Sequence, residues 1–104
     1  MSEHHPDFGE DLENRVADEL EEPQQYRVLL HNDDYTTMEF VVEILEKVFH
    51  KSPADAFRIM VLVHKSGIGV CGVFTAEIAE TKVELVHHLA KRHGFPLQCS
   101  MEAA

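Results

Sequence analysis

A chain of 104 residues with 44% hydrophobic content and a formal charge of −10 has the size of one domain with a modest core. The acidic balance argues against a nucleic-acid or anionic-membrane binder, since both need a basic face, and leaves a cationic partner or ligand open. No apolar run approaches the roughly 20 residues of a membrane span. The start Met1-Ser2-Glu3-His4-His5 carries no apolar signal core, so the expected compartment is the cytoplasm, with Cys71 and Cys99 reduced and buried.

Residues 1–25 hold nine acids against one base, Arg15, and so carry −8 of the −10. So charged a segment cannot offset its chain entropy by burial. It is expected to be a disordered acidic extension, with residues 26–104 as the core domain. Leu12, Val16 and Leu20 are four apart, which allows a helix formed on binding. The extension is either a solubilising tail or an arm that another protein grips.

Within the core, Tyr26–His31 reads as a short buried strand. Thr36 is placed as the N-cap of a first helix, with Glu39 completing a capping box. Met38, Val41, Val42, Leu45, Val48 and Phe49 supply its apolar stripe, which Phe40 and Ile44 broaden. Ser52-Pro53 opens a second helix, which contains Ala56, Phe57, Ile59, Met60, Leu62 and Val63 and closes at Gly67. Ile68–Phe74 is a second strand, whose Gly69 and Gly72 point to bulges or close backbone approach. Thr75 begins a third helix with Ile78, Ala79, Lys82, Val83, Val86, Leu89 and Ala90 inward, ending at Gly94. Pro96–Glu102 is a last strand, with Pro96 suited to an edge. The order strand, helix, helix, strand, helix, strand predicts an α+β two-layer sandwich, a three-stranded antiparallel sheet with three helices packed on one face.

The chemistry concentrates where the first strand turns into the first helix. Asn32, Asp33 and Asp34 are ordinary turn formers, yet three acceptors exceed what one helix start requires. Two adjacent carboxylates repel, and a bound cation relieves that repulsion. An ammonium group wants acceptors of this kind. His64, near the end of the second helix, reads either as a packed or dipole-stabilising residue or as part of a site. His87-His88 and His93 lack the i, i+4 spacing by which two imidazoles share an ion, so no metal or other cofactor is expected. A catalytic pairing of Cys71 with His64 and Asp33 has no support in the context of the thiol, and no phosphate loop or dinucleotide fingerprint is present.

Three blocks carry more than periodicity. Asn32-Asp33-Asp34-Tyr35-Thr36 with Met38-Glu39-Phe40-Val41, Met60 through His64, and Cys71-Gly72-Val73-Phe74-Thr75-Ala76-Glu77-Ile78-Ala79-Glu80-Thr81-Lys82-Val83 closely resemble the ClpS family of protease adaptors, over about Tyr26 to Glu102. One departure is Thr37, where family members often have Pro; on this reading it is the first helical position. The resemblance implies an adaptor rather than an enzyme. Such a protein binds substrates through a free α-amine and a large hydrophobic first residue (Leu, Phe, Tyr or Trp) and delivers them to the AAA+ unfoldase ClpA and its peptidase ClpP. It implies that Asn32, Asp33 and His64 surround the α-amine. Met38, Val41, Ile44, Met60, Val63 and Leu97 are then expected to line the side-chain pocket. Glu77 and Lys82 are expected to dock on the N-terminal domain of ClpA, with the acidic extension engaged during handover. A docking module without terminus recognition and a small histidine metalloprotein are the alternatives.

Overall fold

A computed structural model describes residues 23–104. Residues 1–22 of the acidic extension expected over 1–25, with its expected disorder, lie outside the described residues, and Gln25 already belongs to the first strand. The order is β1 (Gln25–His31), α1 (Met38–Lys47), α2 (Pro53–Ser66), β2 (Ile68–Thr75), α3 (Ala76–Arg92) and β3 (Gln98–Ala103). The three strands form one antiparallel sheet in the order β2-β1-β3. This is the expected α+β architecture.

β1 is central and pairs on both edges. Leu30 lies opposite Gly69 on one side and Cys99 on the other. Side chains alternate across a strand, and Val28, Leu30, Cys71 and Cys99 join the core cluster with Ile44, Leu45, Ile59, Met60, Val63, Val86 and Ala90 from the helices. The opposite face bears Ile68, Val70 and Val73, each more than 40% exposed.

Both glycines of β2 act as the sequence suggests. Val28 faces Gly72 while Leu29 faces Val70, so Cys71 is an extra, bulged residue. A Cβ on Gly72 would stand 2.7 Å from the Phe74 ring, and one on Gly69 would stand 2.7 Å from a methyl of Val63. Gly69 thus lets β2 run tight against α2.

α2 begins as its sequence dictates: Ser52 accepts the Asp55 N–H at 3.2 Å and Pro53 takes the first helical position. It ends on Gly67, left-handed at φ 88°. α1 differs. Its cap is Thr37, whose hydroxyl accepts the Phe40 N–H at 3.1 Å. Thr36 is occupied elsewhere, so Glu39 lies too early in the helix for the capping box, and Thr37 is not a helical residue. At the other end, the Lys82 ammonium donates to the Val48 carbonyl at 2.7 Å. It lies 5.7 Å from the Phe49 ring and 5.2 Å from the Phe74 ring. Lys82 therefore closes α1 from α3.

Ile78, expected on the inward face of α3, is 49% exposed, while its neighbour Ala79 is fully buried. After α3 the chain reverses through Gly94 at φ 78°, and Phe95 stacks 4.9 Å from Phe40. Pro96 sits in this connection, because β3 starts only at Gln98. The outward-pointing Cys99 N–H of β3 is accepted by His87 Nε2 at 3.0 Å, which blunts that sheet edge.

Candidate functional site

Backbone anchoring brings the chemistry-bearing turn to the end of α2. The Asn32 N–H donates to the Gly67 carbonyl at 2.9 Å, so the glycine that stops α2 also holds the residue that follows β1. The turn then folds around Asp33. One carboxylate oxygen accepts the Tyr35 N–H at 2.8 Å and the Thr36 N–H at 2.6 Å, and the other accepts the Thr36 hydroxyl at 2.7 Å. Burial pushes the Asp33 carboxyl up, but the Thr36 N–H and hydroxyl and the Tyr35 N–H together outweigh it and hold the group below the usual carboxylate range. Asp33 is thus a fixed negative charge. A carboxylate offers about four acceptor positions; the three internal donors leave room for a further one.

This turn, α1 and α2 enclose a cavity of about 280 Å³. Asn32, Asp33, Asp34 and Thr36 form one wall, and His64 adds an imidazole from the last turn of α2. Met38, Val41, Met60 and Val63 form the remainder. Val41, Met60 and Val63 are almost wholly buried, whereas Met38 is 47% exposed, so it stands at the mouth of an apolar floor. Among the described residues, neither the Asn32 amide nor the His64 ring has a side-chain hydrogen-bond partner, and both are exposed. The arrangement offers acceptors for a cation and apolar side chains for an apolar group within one cavity.

Of the pocket residues expected from the resemblance, Ile44 and Leu97 do not line this cavity. Both are at most 2% exposed and lie in the core cluster with Val41, Met60 and Val63. Ile44 instead borders a cleft of about 260 Å³ between α1 and α3, with Phe40, Glu43, Lys47, Leu89 and His93. Asp34, one of the two adjacent carboxylates singled out in the sequence, belongs to the wall, and so does Thr36, which sequence reading takes only as a helix cap. Their neighbours Asn32 and Asp33 were the available signal, since a tight turn brings consecutive residues to one hollow. Glu77 is exposed in the first turn of α3, while Lys82 is half-buried under the contacts with Val48, Phe49 and Phe74.

Cys71 is 1% exposed and outside the cavity, and burial drives its thiol far up. Burial likewise raises Cys99 to about 12. Neither is a nucleophile at neutral pH. Among the described residues, no group of three or more His, Cys, Asp and Glu is placed to hold a metal ion, and His87 and His93 are occupied by the Cys99 N–H and the Leu89 carbonyl. No described helix is long and apolar enough to cross a membrane.

Residues 21–100 match the family model described as "ATP-dependent Clp protease adaptor protein ClpS". The chain belongs to the ClpS family. It is similar to the ATP-dependent Clp protease adapter protein ClpS of Nitratidesulfovibrio vulgaris strain Miyazaki F, at 61% identity over 93% of this chain and 97% of that protein. The protein of the same name from Desulfatibacillum aliphaticivorans is 57% identical, over 94% of this chain and 93% of its own length. Among solved structures, Agrobacterium tumefaciens ClpS2 bound to L-phenylalaninamide superposes with a TM-score of 0.77 at 41% identity, covering 80% of this chain and all of that one. ClpS proteins are adaptors of the Clp protease, not enzymes. A site made of binding groups and no nucleophile fits that role.

Proposed function

We propose that the cavity reads the N-terminus of a polypeptide. Asn32, Asp33 and His64, with Asp34 beside them, receive the free α-amine. Met38, Val41, Met60 and Val63 receive a large hydrophobic first side chain: Leu, Phe, Tyr or Trp. Ile44 and Leu97 back this pocket from the core. The observation that carries the reading is the direct abutment of an acidic, amide-bearing wall on a buried apolar floor. The L-phenylalaninamide in the Agrobacterium tumefaciens ClpS2 structure supports it, because that ligand joins a primary amine to an aromatic side chain.

The magnitudes make the two halves interdependent. Burying a Leu or Phe side chain contributes roughly 1.5–3 kcal/mol, and each hydrogen bond to the ammonium about 1.5–3 kcal/mol. The cost of association, about 4–15 kcal/mol, offsets much of that gain. Neither half suffices alone, so internal sequence and acetylated termini are rejected. Met38 and Met60 adapt to differently shaped side chains.

In this reading the adaptor, in the cytoplasm, hands such substrates to the ClpA–ClpP protease. The α3 face bearing Glu77 and Lys82 docks on the N-terminal domain of ClpA, and the acidic extension takes part in transfer. Cavity and docking face lie on different elements, which lets one chain hold both partners at once.

Titration of labelled peptides beginning with Phe, Ala and acetyl-Phe tests the recognition step. Selective binding of the free Phe terminus is expected. Equal binding of all three would assign the fold to general docking, and zinc-dependent melting would revive a metal role. Delivery is tested by binding of the isolated ClpA N-terminal domain, which Glu77→Arg is expected to weaken.

A further inference from the structure

A second apolar hollow adjoins the first. Met38 and Val42, four apart on α1, and Phe57 and Met60, three apart on α2, project to one side of the helix pair. With Glu39 they line an open depression of about 380 Å³. Phe57 is 59% exposed and Met38 47%, so two large apolar side chains stand in water where the core does not need them. The hollow shares Met38 and Met60 with the amine-bearing cavity. The two are therefore neighbours across a methionine ridge, and the second is a continuation of the first.

We propose that this shelf receives an apolar side chain of the same substrate, at the third position from its N-terminus, and so extends selectivity beyond the first residue. The inference rests on the N-terminus reading of the cavity. In an extended peptide, side chains two apart fall on the same face about 7 Å from each other. Met38 borders both hollows, so a chain whose first side chain enters below Met38 and whose backbone runs toward Val42 brings its third side chain to the shelf. The charges select the kind of side chain. Asp34 on the first hollow and Glu39 on the second repel an acidic residue there, while the aromatic face of Phe57 and the methyl groups of Val42 suit a Leu, Met or Phe. Flexible methionines in the ridge let the two side chains settle together.

The test measures fluorescence anisotropy of the full chain with labelled peptides beginning Phe-Ala-Ala, Phe-Leu-Ala and Phe-Ala-Leu, each free and acetylated, on a common polar tail. Phe-Ala-Leu is expected to bind about fivefold more tightly than Phe-Ala-Ala and Phe-Leu-Ala, and a gain confined to Phe-Leu-Ala would overturn the shelf. Phe57→Ser is expected to remove that gain and leave Phe-Ala-Ala within about twofold of its original affinity. The position is exposed, so the substitution spares the core, and Phe57→Leu is expected to retain most of the gain. Equal affinities of the three free peptides, or a gain that survives Phe57→Ser, would overturn the shelf while the acetyl control still upholds the amine site. Insensitivity to acetylation would overturn the cavity reading and the shelf with it.

Discussion

Asp33 and Thr36 are joined twice, through the Thr36 N–H at 2.6 Å and the Thr36 hydroxyl at 2.7 Å, one to each carboxylate oxygen. The pair turns the chain from β1 into α1 and at the same time fixes a negative charge at the cavity wall. One residue thus serves fold and ligand together, and its substitution has two separable effects.

Asp33→Ala is expected to abolish binding of a Phe-initiated peptide and to cost roughly 1–2 kcal/mol of stability through the lost turn bonds. Asp33→Asn keeps part of the turn and loses the charge, so it is expected to recover stability more than affinity. Urea unfolding and peptide titration on the same samples separate the two. Retained binding by Asp33→Ala would sink the amine-site assignment.

The same bonds set a pH window. The folded carboxyl lies below its ordinary value of 3.8, so the folded state binds the proton more weakly than the unfolded chain does. The contribution of Asp33 to stability is therefore fully present above that ordinary value and is lost as pH falls through the lower, folded one. Stability differences between the protein and Asp33→Asn are expected to be constant from neutral pH to about pH 5 and to shrink below about pH 4. A difference that begins to shrink near neutrality would contradict this.

Thr37 caps α1 at φ −73°, a backbone angle that proline also adopts. Thr37→Ala is expected to destabilise by about 1 kcal/mol through loss of the Phe40 N–H acceptor. Thr37→Pro loses the same acceptor but restricts the unfolded chain, which offsets about 0.4–1 kcal/mol. The proline variant is thus expected to unfold at higher urea than the alanine one; the reverse order would show that the Thr37 N–H matters in the turn.

These residues mark where sequence reading succeeds and where it stops. Ser52-Pro53 and Gly67 announce α2 without ambiguity, because each has one local function. The turn before α1 offers Asp33, Asp34, Thr36 and Thr37 as competing caps, and periodicity cannot choose among them. The choice falls to Thr37 because Asp33 claims Thr36, a contact three residues apart that no pattern encodes. Buried and exposed apolar residues are equally hard to separate: Phe57 and Val63 share a helix, yet only Val63 faces Gly69. Ile44 and Leu97 are expected at the pocket from the family resemblance, which assigns a position but not its depth, and both lie in the core beside the lining residues. Lys82 is legible as a helix-edge cation, but its carbonyl partner lies 34 residues away.

Lys82→Met keeps the stem and removes the charge. It is expected to cost roughly 1–2 kcal/mol, from the lost bond to Val48 and the contacts with the Phe49 and Phe74 rings. Any weakening of ClpA binding by this variant then has a structural component. Glu77→Arg, on an exposed position, is expected to leave stability within about 0.5 kcal/mol and reports on docking alone. An unchanged melting midpoint for Lys82→Met would show that these contacts add nothing to stability and would leave docking as the role of Lys82.

His64 completes the cavity with an imidazole from the last turn of α2. It supplies one acceptor for the substrate ammonium beside Asn32 and Asp33. His64→Ala is expected to weaken binding of a Phe-initiated peptide about tenfold, the loss of one hydrogen bond to a charged group. His64→Gln keeps a side-chain acceptor and is expected to recover part of that loss. Peptide titration of both variants decides the matter: an affinity unchanged by His64→Ala would remove His64 from the amine site and leave it as a residue of the α2 terminus.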